Sequence, residues 1–559
     1  MSISTMIHTA RTGLLTTQTQ IAVTTNNLTN AKTEGYTVKT VSTATLMAQG
    51  RGAGVTVVGI GNTINEALSA KIRKATSATA AEETKANYLQ TVLTSLGTTK
   101  DGSALESSMT ALMDAINTAV YDGAGADALL STTESLETWT TTLRDSSNAV
   151  RAASNSADDA IGESIEQIND ILQNLDKLND KITLTTASGK SAADLIDTQR
   201  TLLKDLSALV DITAFSTNTG EIRVYASNGQ QLLTSSAMTL EYTTGGTNTS
   251  ITLNGKDITS NLKGGTLGSL ISLRQETLPD IQAGLDNLAT TLADTINAKA
   301  SLASASPPPS TLTSANTIAS AGLPGTGTIT FMTVSQSGTT EGNVLTSVSV
   351  NLSTITSAAD LNTALAGSNI TATEDATTGH LVLSASSGGV VLSGDGTVGT
   401  KGFAHALGIN TLVSGTNAAD MKVLVDETTF PTALPASTTV GEKTLITGDT
   451  SGLQKIWGAL DDDISFSAAG TLPAASKSAV GRIAALLDDL ADRTEATQEA
   501  ASLSAATRDS LATTFDNAYG VNTEEEQTKL VSLEQSYKAI AQIMTTAQDM
   551  FDSLLSMMK

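Results

Sequence analysis

From Ile3, the positions Ile7, Ala10, Leu14, Thr17, Ile21, Thr24 and Leu28 recur at alternating steps of four and three, a heptad seam that predicts a helix of about 25 residues. Ala10, Thr17 and Thr24 are small, so this stripe is too weak to hold a strong coiled coil alone. The helix is expected to end in NNLTNAKTEGYTV, where Asn26, Asn27, Asn30 and Gly35 favour turn or left-handed backbone. Alternation resumes from Tyr36 through Val38 and Val41, and again from Gly54 to Ile60, which reads as extended strand.

The other end repeats the pattern more strongly. Leu530, Leu533, Tyr537, Ile540, Met544, Ala547, Phe551, Leu554 and Met558 follow steps of three and four without interruption. At 1.5 Å per residue that seam spans about 43 Å. Asn522-Thr523-Glu524-Glu525-Glu526 suits its start, with carboxylates at the positive end of the helix dipole. Chain ends fray unless docked, so two seams that each need a partner are expected to meet.

Between the ends, residues 80–210 read as helix. Tyr88, Leu89, Val92, Leu93 and Leu96 form one stripe, Ile161, Ile165, Ile168, Leu172, Leu175 and Ile182 a second, and Leu195, Ile196, Leu202, Leu203, Leu206, Leu209 and Val210 a third. They imply a rod-like helical bundle. Residues 212–263 switch to period two, with Asn228-Gly229 as a hairpin turn. Helix returns from Leu267 to Ala300 after Gly264-Gly265, and Pro307-Pro308-Pro309 reads as a linker. Residues 310–480 are rich in Ser, Thr and Gly, as in a β-rich domain, and helix resumes at Ile483 to Leu490 and past Leu511.

The expected fold is thus α+β and multi-domain: paired terminal helices, a rod-like bundle, and outward β-rich domains inserted in the middle of the chain. The expected boundaries are 1–60 with 520–559 for the inner terminal-helix domain and 61–211 with 264–305 and 481–519 for the bundle. A small β subdomain takes 212–263, and an outer β-rich domain 306–480. At about 150 residues per domain, 559 residues suit three or four domains.

Composition narrows the chemistry. A net charge of −24 opposes binding to nucleic acid or an anionic membrane, and no Lys/Arg-rich segment offsets it. Zero cysteine excludes disulfides, thiolate metal sites and a Cys nucleophile. No segment reaches the roughly 20 apolar residues of a membrane span. The first twenty residues lack the pattern of a cleavable secretory signal, so export, if it occurs, is expected by another route.

Candidate catalytic motifs fail one by one. GDGTVG at Gly394–Gly399 matches a dinucleotide fingerprint as a string, but Thr400 to Asn410 support only a short helix, so it reads as a β-turn loop. Gly50-Arg51-Gly52-Ala53-Gly54 lacks Gly-Lys-Ser/Thr and reads as a flexible connector. His8, His380 and His405 stand at no metal spacing, and no nucleophile-elbow motif supports a serine triad. Asp461-Asp462-Asp463 lacks the alternation of a calcium loop and reads as a solvated acidic turn. The chain is expected to be no enzyme and to need no cofactor or metal.

Asn26, Asn27, Asn30, Thr33, Gly35 and Tyr36, following a heptad helix, resemble the signature of flagellar rod, hook and hook-associated proteins. The C-terminal stretch, with Glu524-Glu525, Gln535, Tyr537, Ala539, Thr546, Ala547, Met550 and Phe551, is similar to the terminal helix of the same axial group. Asp194 to Ile212 and Gly264 to Ala298 resemble internal motifs of the hook-associated protein 1 (FlgK) family, which the hook and rod proteins lack. Thr356 to Gly388 is similar to a small β-α-β-β hook motif, here expected near 327–410. Leu361 and Leu365 would form its helix face, with Ile370, Leu381 and Leu383 on strands.

The resemblance implies a structural subunit at the hook–filament junction, self-assembled in a ring. Its implied partners are the hook protein, a second junction protein and a cytoplasmic export chaperone on the C-terminal helix. It also implies export unfolded and no membrane insertion. The implied interface residues are Ile3, Ile7, Leu14, Ile21 and Leu28 at one end and the Leu530–Met558 seam at the other. The alternatives are another flagellar axial protein, a hook protein or flagellin-like subunit, and an extracellular adhesin or enzyme carried on the outer domain.

Overall fold

The computed structural model of the chain describes residues 3–48, 51–100, 102–245 and 248–557. Its helices in chain order are α1 (Ile3–Thr29), α2 (Glu66–Leu96), α3 (Ala104–Tyr121), α4 (Ala126–Ala187), α5 (Ala193–Leu209), α6 (Gly265–Ser272), α7 (Leu278–Ala300), α8 (Ile318–Ala321), α9 (Ala358–Ala364), α10 (Phe403–Leu407), α11 (Ser451–Asp461), α12 (Ala479–Tyr519) and α13 (Thr523–Met557). The terminal helices pack on each other and the β-sheets are inserted between them in sequence, an α+β arrangement. Contacts divide the chain into two compact units: Met1–Asn87, Ser156–Arg274 and Glu495–Lys559 make the first, Tyr88–Asn155 and Gln275–Thr494 the second.

In the first unit α1 and α13 run antiparallel, with Asn27 bonded to Glu526, Gln18 to Tyr537, and Gly13 facing Ile540. The small seam positions Ala10, Thr17 and Thr24 are the buried ones, whereas Ile3, Ile7, Leu14, Ile21 and Leu28 are only half-buried. Strands β1 (Thr40–Ala48) and β2 (Arg51–Gly61) form an antiparallel hairpin laid against α1. Leu46 pairs with Gly54 and Met47 with Gly52, so Ala53 is a bulge, and it is buried. Arg51 to Gly54 are therefore strand and not the flexible connector expected; Gly50 lies outside the described residues. Gly54 has φ +134°, and a Cβ there would lie 2.2 Å from Thr12 Oγ1, so this glycine serves a close approach of hairpin to helix.

From Ser156 onward α4 turns the predicted stripe Ile161, Ile165, Ile168, Leu172, Leu175 and Ile182 inward, each nearly or fully buried. Burying one such side chain is worth about 1.5–3 kcal/mol. Two asparagines on α4 clip sheet backbone. Asn179 donates to Ile222 O (3.0 Å) and accepts from Ile222 N (2.9 Å), in the sheet β3 (Ile212–Ser216), β4 (Ile222–Ala226), β5 (Gln231–Leu233). Asn169 does the same to Leu240, in the sheet β6 (Leu240–Gly245), β7 (Asn248–Leu253), β8 (Lys256–Asp257). Each asparagine satisfies a donor and an acceptor that sheet pairing leaves open. Asn228-Gly229 makes the turn between β4 and β5, with Gly229 at φ +86°.

The helix expected from Leu267 to Ala300 is present and carries a π turn inside it. Between α6 and α7, Leu273–Thr277 widen into a π turn, and Pro279 follows at the start of α7. Proline cannot donate to the carbonyl four residues back and its ring crowds that turn, so the wider turn absorbs the mismatch.

The second unit packs α3, the first part of α4, α7, α11 and the start of α12 around Leu112, Trp139, Leu285, Leu453 and Leu487, all fully buried. Its strands are β9 (Thr311–Thr317), β10 (Thr328–Val334), β11 (Val344–Asn351), β12 (Ile370–Glu374), β13 (His380–Ala385) and β14 (Gly389–Gly394), followed by the short pairs β15 (Thr397–Val398) with β16 (Lys401–Gly402), β17 (Val413–Ser414) with β18 (Lys422–Val423), and β19 (Ile464–Phe466) with β20 (Ala475–Lys477). Strand, helix and two strands follow in order as β11, α9, β12 and β13, with Leu361, Leu365, Ile370, Leu381 and Leu383 in one buried cluster. The glycine string at 394–399 ends β14 and enters the β15–β16 hairpin, and α10 after it has five residues.

Two expectations fail here. Pro307-Pro308-Pro309 is not a free linker: Pro308 is buried, Pro308 O accepts from Gln336 Nε2 (2.7 Å) and Pro309 O accepts from Val390 N (2.8 Å). The prolines have no N–H to offer but serve as acceptors along a sheet edge. Within the region read as β-rich, α11 is a helix whose Leu453, Ile456 and Leu460 face inward at helical spacing.

Candidate functional site

The motif after α1 folds as a polar clasp in the first unit. Asn30 bends the end of the helix, its Nδ2 donating to Asn26 O (3.0 Å) and its Oδ1 accepting from Thr33 Oγ1 (3.3 Å). Thr33 O then accepts from Tyr36 N (3.2 Å). Between them Gly35 has φ +76°, and a Cβ there would stand 2.5 Å from Thr201 Oγ1 on α5. Both backbone angle and space therefore demand glycine. Asn26 contributes its carbonyl, and its side chain is exposed.

Tyr36 and Asn27 are thus brought together. Asn27 is fully buried and uses all four amide positions: Oδ1 accepts from Tyr36 Oη (2.9 Å) and Lys39 N (3.0 Å), while Nδ2 donates to Lys39 O (2.9 Å) and Glu526 Oε2 (2.9 Å). A flipped amide would set NH₂ against two donors, so the pattern fixes the orientation. Asn27 alone ties the motif loop, the strand entry and the first turn of α13.

Lys39 extends the clasp to α5. Its buried ammonium lies 2.9 Å from Asp197, 2.9 Å from Asp194 and 3.4 Å from the Tyr36 ring centroid. Burial works to lower the Lys39 pKa, but the hydrogen bonds to Asp197 and Asp194 outweigh it and the net shift is upward, so the cation persists. Burial raises the Tyr36 hydroxyl, which therefore stays protonated to donate to Asn27. Asp197 also accepts from Thr37 N (3.1 Å), Thr37 Oγ1 (2.8 Å), Asn62 Nδ2 (3.0 Å) and Arg200 Nη1 (2.9 Å). Removing one partner of such a buried pair costs about 3–5 kcal/mol. Val38 N donates to Tyr519 O (2.8 Å), which adds the end of α12.

On α13, Leu530, Leu533, Tyr537, Ile540 and Met544 are half-buried and Ala547 is fully buried. Phe551 and Leu554 are not brought into that seam and stay 48% and 49% exposed. The antiparallel register explains it, because Phe551 comes level with the first turn of α1 and Leu554 lies beyond it. Met558 lies outside the described residues. Lys39, Asp197 and Glu526 escape the apolar pattern, since they occupy buried positions with charged side chains. One signal exists: Gln199, also buried, stands one heptad before Leu206 on the inner face of α5, marking that face as polar toward its start.

The clasp is suited to holding segments together and not to turnover: its buried charges are paired, Lys39 with Asp197 and Glu526 with Lys529 (3.3 Å). Among the described residues no group of three or more His, Cys, Asp or Glu could hold a metal ion, and no helix is long and apolar enough to cross a membrane.

Three family models match separate stretches. Residues 7–37 match "Flagella basal body rod protein", 89–304 match "Flagellar hook-associated protein FlgK helical domain", and 513–557 match "Flagellar basal body rod FlgEFG protein C-terminal". Asn27, Asp197 and Glu526 come one from each. Flagellar hook-associated protein 1 of Salmonella typhimurium (strain LT2) is 27% identical over 320 residues, covering 53% of this chain and 56% of that protein. The Escherichia coli K12 protein of the same name is 24% identical over 327 residues, with the same coverage. The chain thus spans about half the length of the curated relatives it matches. The solved flagellar hook junction protein FlgK from Burkholderia pseudomallei aligns over 80% of this chain and 99% of its own, at 14% identity and a TM-score of 0.49. With rod-type segments at both ends and a FlgK-type helical domain between them, the chain is similar to flagellar hook-associated axial proteins of the FlgK type.

Proposed function

We propose that this protein is a non-enzymatic structural subunit of the bacterial flagellum that forms the hook–filament junction, assembling as a ring through its terminal helices. The observation that carries the reading is apolar surface that α13 leaves uncovered. Ile543, Met550 and Leu554 follow steps of seven and four along one face, Phe551 and Leu555 flank them, and each is about half exposed. Contiguous apolar surface of this kind marks an interaction site.

In this reading the clasp fixes the angle between α1 and α13, and neighbouring subunits cover the uncovered stripe. The Ile3–Leu28 and Leu530–Met558 seams then serve both the internal pair and the contact between subunits. The partners are further copies, the hook protein on one side, a second junction protein on the other, and a cytoplasmic chaperone that covers α13 before export. The protein would work outside the cell, exported without a cleavable signal.

Replacing Ile543, Met550 and Leu554 by Ser tests the reading in a strain lacking the native protein. The expected outcome is hooks without filaments, from a purified variant that keeps native helix content. Normal filaments from that variant would remove the stripe from the mechanism.

A further inference from the structure

A second feature of the first unit has no role in the clasp or the apolar stripe. Arg73, on α2, is only 6% exposed, yet its guanidinium makes no hydrogen bond or ion pair among the described residues. It lines a cavity of about 180 Å³ together with Ser69 one turn earlier, Arg200 and Lys204 one turn apart on α5, Phe515 and Asp516 on α12, and Glu34 of the motif loop. At about 30 Å³ per water, that space holds roughly six waters or one small oxyanion.

The charges around the cavity leave Arg73 uncompensated. Arg200 is committed to Asp197 and Lys204 to Glu34, while Asp516 is exposed and in no ion pair. Glu66, two turns back on α2, acts on Arg73 only from beyond ion-pair distance. Burial pushes the Arg73 guanidinium below its ordinary value, as expected for a cation without a close counter-charge. Arg482 is as deeply buried and also lacks an ion pair, but it donates to Pro473 O (3.0 Å) and Ser467 O (3.3 Å); Arg73 has no such acceptor among the described residues. An isolated buried charge is costly, and a guanidinium fork matches two oxygens of one anion.

We propose that this cavity is a binding site for a small oxyanion of the phosphate class, held by the Arg73 guanidinium with Arg200 and Lys204 at its rim. Bound anion would brace α2, α5 and α12, each of which supplies a residue to the wall. It would stabilise the unit in proportion to the logarithm of anion concentration above its dissociation constant.

The test uses the full-length chain and inorganic phosphate, with chloride balancing ionic strength. The expected result is a thermal midpoint that climbs with phosphate for the native protein and stays flat for Arg73→Met. In chloride alone Arg73→Met should unfold at or above the native midpoint, since it removes a buried charge without a partner. Arg73→Lys keeps the charge but not the fork and should weaken phosphate binding at least tenfold. Should Arg73→Met fail to fold, calorimetric titration of the native protein decides: one phosphate per chain is expected, and no heat beyond the chloride control overturns the proposal. Equal phosphate response in native and Arg73→Met proteins also overturns it.

Discussion

Asn27→Ala removes four hydrogen bonds from one buried point and leaves Lys39 N, Lys39 O, Tyr36 Oη and Glu526 Oε2 without their partner. A net intramolecular hydrogen bond is worth about 0.5–1.5 kcal/mol, and an orphaned buried group costs about 1–3 kcal/mol. Tyr36 is half-buried and can turn to water, and the void left by the amide admits some solvent, so the four do not add fully. The expected loss is about 3–5 kcal/mol for the clasp, which lowers amide protection there by roughly 10² to 10³ or more. Both tryptophans, Trp139 and Trp457, belong to the other unit, so fluorescence is the wrong probe. Hydrogen exchange read by mass spectrometry on peptides covering 20–40 and 520–540 is the right one. Both peptides must lose protection together, because Asn27 bonds to each. A loss confined to 20–40, or a total effect under about 1 kcal/mol, would refute the keystone role of Asn27. Asn27→Asp goes further, setting a carboxylate oxygen against Lys39 O and the Glu526 carboxylate.

Gly35→Ala should cost about 1–3 kcal/mol, from positive φ and the overlap with Thr201, and adding Thr201→Ser should not rescue it; urea unfolding followed by circular dichroism measures both. Asp197→Asn weakens the tie to Lys39 and Arg200 and should destabilise by about 3–5 kcal/mol in the same assay. In the second unit, Asp294 is lowered from 3.8 to about 2, first by its hydrogen bond to His405 and then by Lys401. A lowered carboxylate pKa gives stability that is complete above the unfolded value and is lost as pH falls through the folded one. Acid unfolding should therefore show a component between pH 3.8 and about 2 that Asp294→Asn removes, small because Asp294 is 52% exposed. Phe551→Ser with Leu554→Ser should shift the thermal midpoint of the purified chain little, since neither side chain is buried.

Sequence periodicity located α1, α13 and the buried face of α4, because those segments bury one apolar stripe each and nothing competes with the pattern. It also located the turn at Asn228-Gly229, whereas the cluster around Leu361 and Ile370 follows only from the resemblance of Thr356 to Gly388 to a hook motif. It missed the π turn before Pro279, where backbone chemistry overrides a continuous apolar stripe, and the docking of Pro307–Pro309, which depends on acceptors reaching a distant sheet edge. α11 was legible in Leu453, Ile456 and Leu460 but hidden by the Ser/Thr/Gly-rich sequence around it. The motif asparagines were recognisable as a string, yet nothing in the string says that Asn27 is buried and Asn26 is not. Likewise Glu524 and Glu525 face solvent while Glu526 is buried against Asn27 and paired with Lys529, a split within one acidic run that the string does not reveal. Lys39 shows the same limit: Thr37 and Lys39 are buried where alternation pointed to Val38, because Asp197 accepts hydrogen bonds from Thr37 and offers Lys39 a counter-charge.

In the proposed role this chain joins hook to filament through its paired ends. Immunogold labelling of the protein on intact flagella tests it most directly. The expected result is a single band at the hook–filament boundary, lost when Leu530 to Lys559 are deleted. Label distributed along the filament, or absent from the flagellum, would contradict it.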